Sequence, residues 1–197
     1  MLDQPRGAAA GRTTVASAIS TTADEQFWFT QFRIGNYPNY FEHVQFPRDE
    51  QSLAQFYRQM TPNTGAFDAK VISDAISGLF DKIGSAILVT HSQGGGPGWM
   101  TAIQNPNVKA IVAYEPYSSF LFPEGEVPTP ISSTGLFGAL KGQAIPLEDF
   151  LKLTKIPIVI YYGDNIADAP TDIWNKDHWR SGLEMARKWA EVINKHG

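Results

Sequence analysis

Hydrophobic residues in the second half of the chain form short runs that alternate with longer amphipathic stripes. The runs are rich in β-branched residues and predict buried strands at 85–91, 108–114 and 156–163. Apolar residues at helical spacing predict helices at 49–60, 67–83, 93–104, 146–153 and 176–195. Strands that alternate with helices in this way form parallel sheets, so the predicted fold class is α/β with a doubly wound, mainly parallel sheet.

Other stretches depart from this pattern. Residues 1–7 resemble the end of a strand, and 8–22 predict a surface loop. Aromatic residues are concentrated near 25–47. They predict either local core packing or a lid or pocket wall for an apolar substrate. Residues 117–145 are rich in Gly, Pro and Ser and predict an excursion over the sheet edge. No linker or repeat divides the chain, so 1–197 is predicted to form one domain.

Composition excludes several classes of function. The 197 residues carry 16 basic and 20 acidic side chains without a basic stripe, which argues against a nucleic-acid partner. The chain has no cysteine, and its four histidines lack metal-ligand spacing, so neither a metal nor another cofactor is expected. No apolar run is long enough to span a membrane and no signal peptide is evident, which leaves the compartment and the oligomeric state open.

The candidate chemistry centres on Ile87–Trp99, where an apolar run stops at a serine between a histidine and glycines. This order predicts a nucleophile elbow, in which a buried strand delivers Ser92 to a sharp turn and a helix follows at once. His91, Gly94 and Gly95 form the rest of the elbow, and the backbone N–H of Gln93 points to where an oxyanion would form.

The elbow departs from the usual Gly-x-Ser-x-Gly pattern, because Thr90 stands where the first glycine belongs. The prediction therefore depends on the strand, turn and helix around the serine. The alternative interpretation is a Gly-rich loop with an incidental serine.

Two acids follow later strands at the edge where ligands bind in α/β sheets. Glu115 comes directly after the run 108–114 and before a proline, and its alternative role is that of a solvated strand-end residue. Asp164 follows the run 156–163 and is the second candidate. His178 and His196 lie on or just beyond the last predicted helix and are predicted to be surface residues.

The chain resembles the α/β-hydrolases, and more closely a bacterial esterase-like group, in Thr90–Gly94, Glu115–Pro116 and Tyr162–Ile166. The opening Asp3–Gly7 also resembles that group. The resemblance implies that Ser92 is the nucleophile and that the triad acid is Glu115, with Asp164 ranked below it. It also implies that the group's upstream oxyanion loop and downstream catalytic histidine are not in this chain. We therefore expect an internal fragment of such an enzyme, truncated at both ends.

The function predicted from these residues is hydrolysis of a small-molecule carboxylic ester through an acyl-enzyme on Ser92, with little activity from this chain alone. One alternative is a non-catalytic module of the same fold that binds a small apolar ligand or a protein partner. A haloperoxidase or a lyase on the same scaffold is another, because a fold does not fix a function.

Overall fold

The computed structural model describes residues 25–59 and 67–197, and the chain divides into two units, residues 1–67 and 68–197. The expectations for residues 1–22 lie outside the described residues. That residues 1–197 form one domain stays a prediction.

The first unit holds two helices and a hairpin, namely α1 (Glu25–Gln31), β1 (Gly35–Asn36), β2 (Asn39–Tyr40) and α2 (Glu50–Arg58). The ring of Phe29 is fully buried and meets Tyr37 and Tyr40 edge-on, at centroid distances of 5.6 and 5.0 Å. Asp49 caps α2, because its carboxylate accepts a hydrogen bond from the amide of Ser52 at 2.8 Å. The aromatic residues near 25–47 thus pack on one another, and the lid role stays a prediction.

The second unit alternates helices and strands, in the order α3 (Ala69–Ile83), β3 (Ala86–His91), α4 (Gly95–Gln104), β4 (Val108–Tyr114), β5 (Leu121–Pro123), β6 (Gln143–Ile145), α5 (Leu147–Leu153), β7 (Ile158–Tyr161) and α6 (Trp174–His196). Strands β3, β4 and β7 form a parallel sheet with β4 in the centre. Tyr114 pairs with His91 on one side and with Tyr161 on the other. The three strands therefore end side by side.

One face of this sheet carries the core of the unit. Ile111 and Ala113 are fully buried there, in a cluster that includes Trp99 from α4 and Trp189 from α6. On the alternate positions Ile87, Val89, Tyr114, Val159 and Tyr161 are exposed, Ile87 and Val89 by 61% and 62%. Parallel sheets are normally covered on both faces, so the mixed α/β fold with a parallel sheet is present, while its doubly wound form stays a prediction.

The segment 117–145 contains more regular structure than the sequence predicts. Strands β5 and β6 pair in parallel, and Phe120, Leu121 and Phe122 are at most 2% exposed. The indole nitrogen of Trp189 donates to the carbonyl oxygen of Leu121 at 2.6 Å. Strands of three residues are too short to show a hydrophobic period, which explains why the sequence does not reveal them.

A buried carboxylate ties this segment to α6. Asp177 is 1% exposed and accepts hydrogen bonds from Arg180 Nε at 2.6 Å, the Thr134 amide at 2.8 Å and the Thr171 amide at 3.2 Å. Arg180 in turn donates to the carbonyl oxygen of Ser132 at 2.5 Å. Burial raises the pKa of Asp177, but Arg180 and the two amides outweigh it and hold the pKa at about 2.

We expect Asp177→Asn to lower the free energy of unfolding at neutral pH by about 2 to 3 kcal/mol, because the buried Arg180 guanidinium loses the charge of Asp177 and keeps that of the more exposed Glu184, 2.9 Å from its Nη1. A carboxyl whose folded pKa is depressed from 3.8 to about 2 stabilises the fold fully above pH 4 and loses this contribution as the pH falls to 2. Urea unfolding at several pH values should therefore show that the gap in unfolding free energy between wild type and variant closes as the pH falls from 4 to 2. The exposed Asp172→Asn is the control, and a gap that stays constant from pH 7 to pH 2 would contradict this assignment.

Candidate functional site

Ser92 lies at a sharp turn between β3 and α4. Its φ of 51° is in the left-handed region, which residues other than glycine rarely adopt. A 3₁₀ turn at Ser92–Gly94 leads into α4, and the carbonyl oxygen of Ser92 accepts the amide of Gly95. The first amides of a helical segment have no acceptor within the helix, and Gln93 lies in this first turn.

Glycines let α4 approach the sheet closely. A Cβ atom at Gly98 would lie 2.7 Å from Thr90 Cγ2, and one at Gly95 would lie 2.7 Å from Pro116 Cβ. Thr90, the departure from the usual elbow pattern, is 9% exposed. The space that its methyl group needs is thus provided by a glycine of the helix.

Glu115 occupies the next turn along the same sheet edge, directly after β4. Its φ of 47° is also in the left-handed region. Its amide donates to the carbonyl oxygen of Tyr161 at 2.7 Å, and its Oε1 accepts the amide of Gly163 at 2.9 Å. Desolvation lowers the pKa of His91, and the charge of Glu115 acts on the same ring in the opposite direction. Glu115 directly follows Tyr114, which pairs with His91, so the two residues share this edge of the sheet.

The loop after Glu115 connects the start of α4 with the end of β7. The hydroxyl of Ser118 donates to the carbonyl oxygen of Gln93 at 3.0 Å, and the hydroxyl of Tyr162 donates to that of Pro116 at 2.5 Å. Both acceptors are backbone atoms beside the two strained turns. These contacts fix the turns relative to each other.

The structure places the residues predicted for the elbow, together with Glu115, at one edge of the sheet. Asp164 lies three residues after the end of β7 and is exposed. It directly follows Gly163, whose amide binds the Glu115 carboxylate. Three acids or histidines that could hold a metal ion are not found together in the described residues, and no helix among them is long and apolar enough to cross a membrane.

The prediction that His178 is a surface residue is wrong, since its exposure is 2%. Its ring stacks on Tyr117 at a centroid distance of 3.7 Å, and the backbone of Gly135 lies against it. Helix α6 begins at Trp174, two residues before its predicted start. His196 is half-buried and lies 2.8 Å from a carboxylate oxygen of Glu126.

Sequence reasoning also missed Tyr117. Its hydroxyl lies 3.3 Å from Ser181 Oγ, and burial raises its pKa while the hydrogen bond with Ser181 opposes that shift. Ser181 and His178 lie more than 60 positions away along the chain, and no local motif marks such a contact.

Comparison with known proteins places this geometry in a wider context. No family model matches the chain, and no curated protein matches it. The structure is similar to that of a novel bacterial esterase, with a TM-score of 0.64 and 25% sequence identity over 91% of this chain and 47% of that chain. The chain thus has an esterase-like α/β fold and spans about half the length of that esterase.

The contact between α4 and β3 predicts opposite effects for two glycine substitutions. Gly98→Ala should cost about 1 to 3 kcal/mol in unfolding free energy, because its methyl group meets Thr90 Cγ2. Gly78→Ala, in the middle of α3 where a Cβ meets nothing within 4 Å, should instead stabilise by about 0.5 to 1 kcal/mol. Chemical denaturation measures both. Introducing Thr90→Ser should relieve most of the Gly98→Ala penalty, and an equal penalty in both backgrounds would refute the contact.

Proposed function

We propose that this chain carries the nucleophile of a serine hydrolase that cleaves small-molecule carboxylic esters. The observation that carries the proposal is the left-handed turn at Ser92, between a parallel strand and a helix N-terminus. A serine in that conformation lies at the sheet edge beside the first residues of the following helix. The similarity to a bacterial esterase supports the same class of reaction.

In this mechanism Ser92 Oγ attacks the ester carbonyl carbon, and the alcohol leaves to give an acyl-enzyme that water then hydrolyses. The N–H of Gln93 donates to the developing oxyanion. Loss of one such donor typically costs about 2.7 to 4 kcal/mol of transition-state stabilisation. Glu115 orients and stabilises the imidazolium of the general base, and Asp164 is the lower-ranked alternative for this role.

None of the four histidines is assigned the role of general base. His178 is buried against Tyr117, His196 lies at the end of α6 beside Glu126, and His43 is exposed beside Glu42. His91 precedes Ser92, and neighbouring residues at the end of a strand point to opposite faces of the sheet. A serine without a base is a weak nucleophile, so the 197 residues tested alone should hydrolyse esters very slowly.

The first test is labelling with a fluorophosphonate, with imidazole added as an external base, followed by peptide mapping. We expect a single adduct on Ser92 in the folded chain and none in Ser92→Ala. Ser85→Ala removes an exposed serine at the other end of β3 and should label like the wild type. Equal labelling of the wild type and Ser92→Ala would remove the nucleophile assignment and favour the non-catalytic binding module.

The second test is turnover of a short-chain nitrophenyl ester by the purified 197-residue protein. We expect a rate within a few-fold of the Ser92→Ala control, because in this proposal none of the four histidines acts as the general base. Robust turnover that requires Ser92 would show that His43, His91, His178 or His196 acts as the base. Histidine-to-glutamine variants would then identify which one.

A further inference from the structure

The segment Tyr161–Gly163 makes three successive contacts with the turn that carries Glu115. The Tyr161 carbonyl oxygen accepts the Glu115 amide at 2.7 Å, the Tyr162 hydroxyl donates to the Pro116 carbonyl oxygen at 2.5 Å, and the Gly163 amide donates to Glu115 Oε1 at 2.9 Å. Two of the three come from the backbone. The Tyr162 hydroxyl is the one that a side-chain substitution removes.

The Glu115 turn needs such support. A non-glycine residue in the left-handed region costs free energy and persists only when its surroundings determine it from several sides. The chain enters the turn from a central strand and leaves it through Pro116, whose carbonyl oxygen accepts the Tyr162 hydroxyl. Without the Tyr162 hydroxyl, Pro116 loses the hydrogen bond that connects it to the segment after β7.

The Tyr162 side chain is itself held in place. It packs against the core cluster, and Gly182 of α6 lies under its hydroxyl and under the Tyr117 ring. A Cβ atom at Gly182 would lie 3.3 Å from the Tyr162 hydroxyl oxygen and 2.9 Å from Tyr117 Cδ2. Helix α6 thus packs closely against the Tyr162 hydroxyl, and this contact keeps the hydroxyl directed at the Pro116 carbonyl oxygen.

We infer that Tyr162 is a positioning residue for Glu115. Its hydroxyl holds the Pro116 carbonyl oxygen, and this keeps the Glu115 carboxylate against the Gly163 amide. The motif Tyr162–Ile166 therefore serves the site by holding the acid that follows β4, and Asp164 is only its exposed neighbour. The importance of this role for catalysis rests on the proposed function, in which Glu115 must orient an imidazole.

The test is the amide signal of Gly163 in proton–nitrogen NMR spectra of the full chain, with Glu115→Ala as the reference for a lost acceptor. We expect Tyr162→Phe to move this signal towards its position in Glu115→Ala and to speed amide hydrogen exchange at Gly163 at least tenfold. Tyr161→Phe is the matched control, because that exposed ring only stacks on Tyr114. It should leave the signal in place.

An unchanged Gly163 signal in Tyr162→Phe would overturn the inference. If that variant does not fold, Gly182→Ala, which pushes on the hydroxyl without removing it, must shift the same signal, and no shift overturns the inference as well. The Gly163 signals of both variants are independent of Ser92, so the labelling experiment tests the proposed function separately. A missing Ser92 adduct together with a shifted Gly163 signal would retain the Tyr162 contact and reject the hydrolase.

Discussion

The close approach of α4 to the ends of β3 and β4 is the constraint on which the second unit depends. The helix reaches this position because Gly95 and Gly98 present no side chain to Pro116 and Thr90. That approach confines the turn at Ser92 to a left-handed conformation and places the helix amides beside it. A larger residue at either glycine would displace the helix start, and with it the candidate oxyanion donor, from the edge of the sheet.

The two strained turns are stabilised from opposite sides of the sheet edge. Ser92 is held by the helix that follows it, and the Ser118 hydroxyl adds a hydrogen bond from the next loop to the Gln93 carbonyl oxygen. Glu115 is held by Tyr161–Gly163, which lie almost fifty positions further along the chain. The buried pair of Asp177 and Arg180 then fastens the segments around residues 132–134 and 171 onto α6. The candidate site thus combines a local turn with a distant support.

Much of this organisation is predictable from the sequence. The run 108–114 coincides with β4, and the other main strands and helices lie within a few residues of their predicted bounds, because hydrophobic periodicity over such lengths is a strong signal. The abrupt stop at Ser92 likewise indicated a sharp turn, and the observed φ of 51° matches that expectation. The presence of Glu115 at the same edge followed from parallel strand order.

What the sequence could not provide are contacts between distant segments. The helical pattern of α6 alone predicts that His178 is exposed, but the ring of Tyr117 that covers it comes from another part of the chain. Strands β5 and β6 are three residues long, too short for a periodic signal. Thr90 looked like a defect of the motif, and only the facing Gly98 explains it.

The distances in sequence also bear on the order in which the unit assembles. The serine turn lies within the contiguous segment 86–114, so the strand, helix and strand around it close over a short loop. The amide that binds Glu115 arrives only with β7, after 48 further residues. We therefore expect the serine turn to form early, and the direction of the Glu115 carboxylate to be among the last features of the site to be fixed.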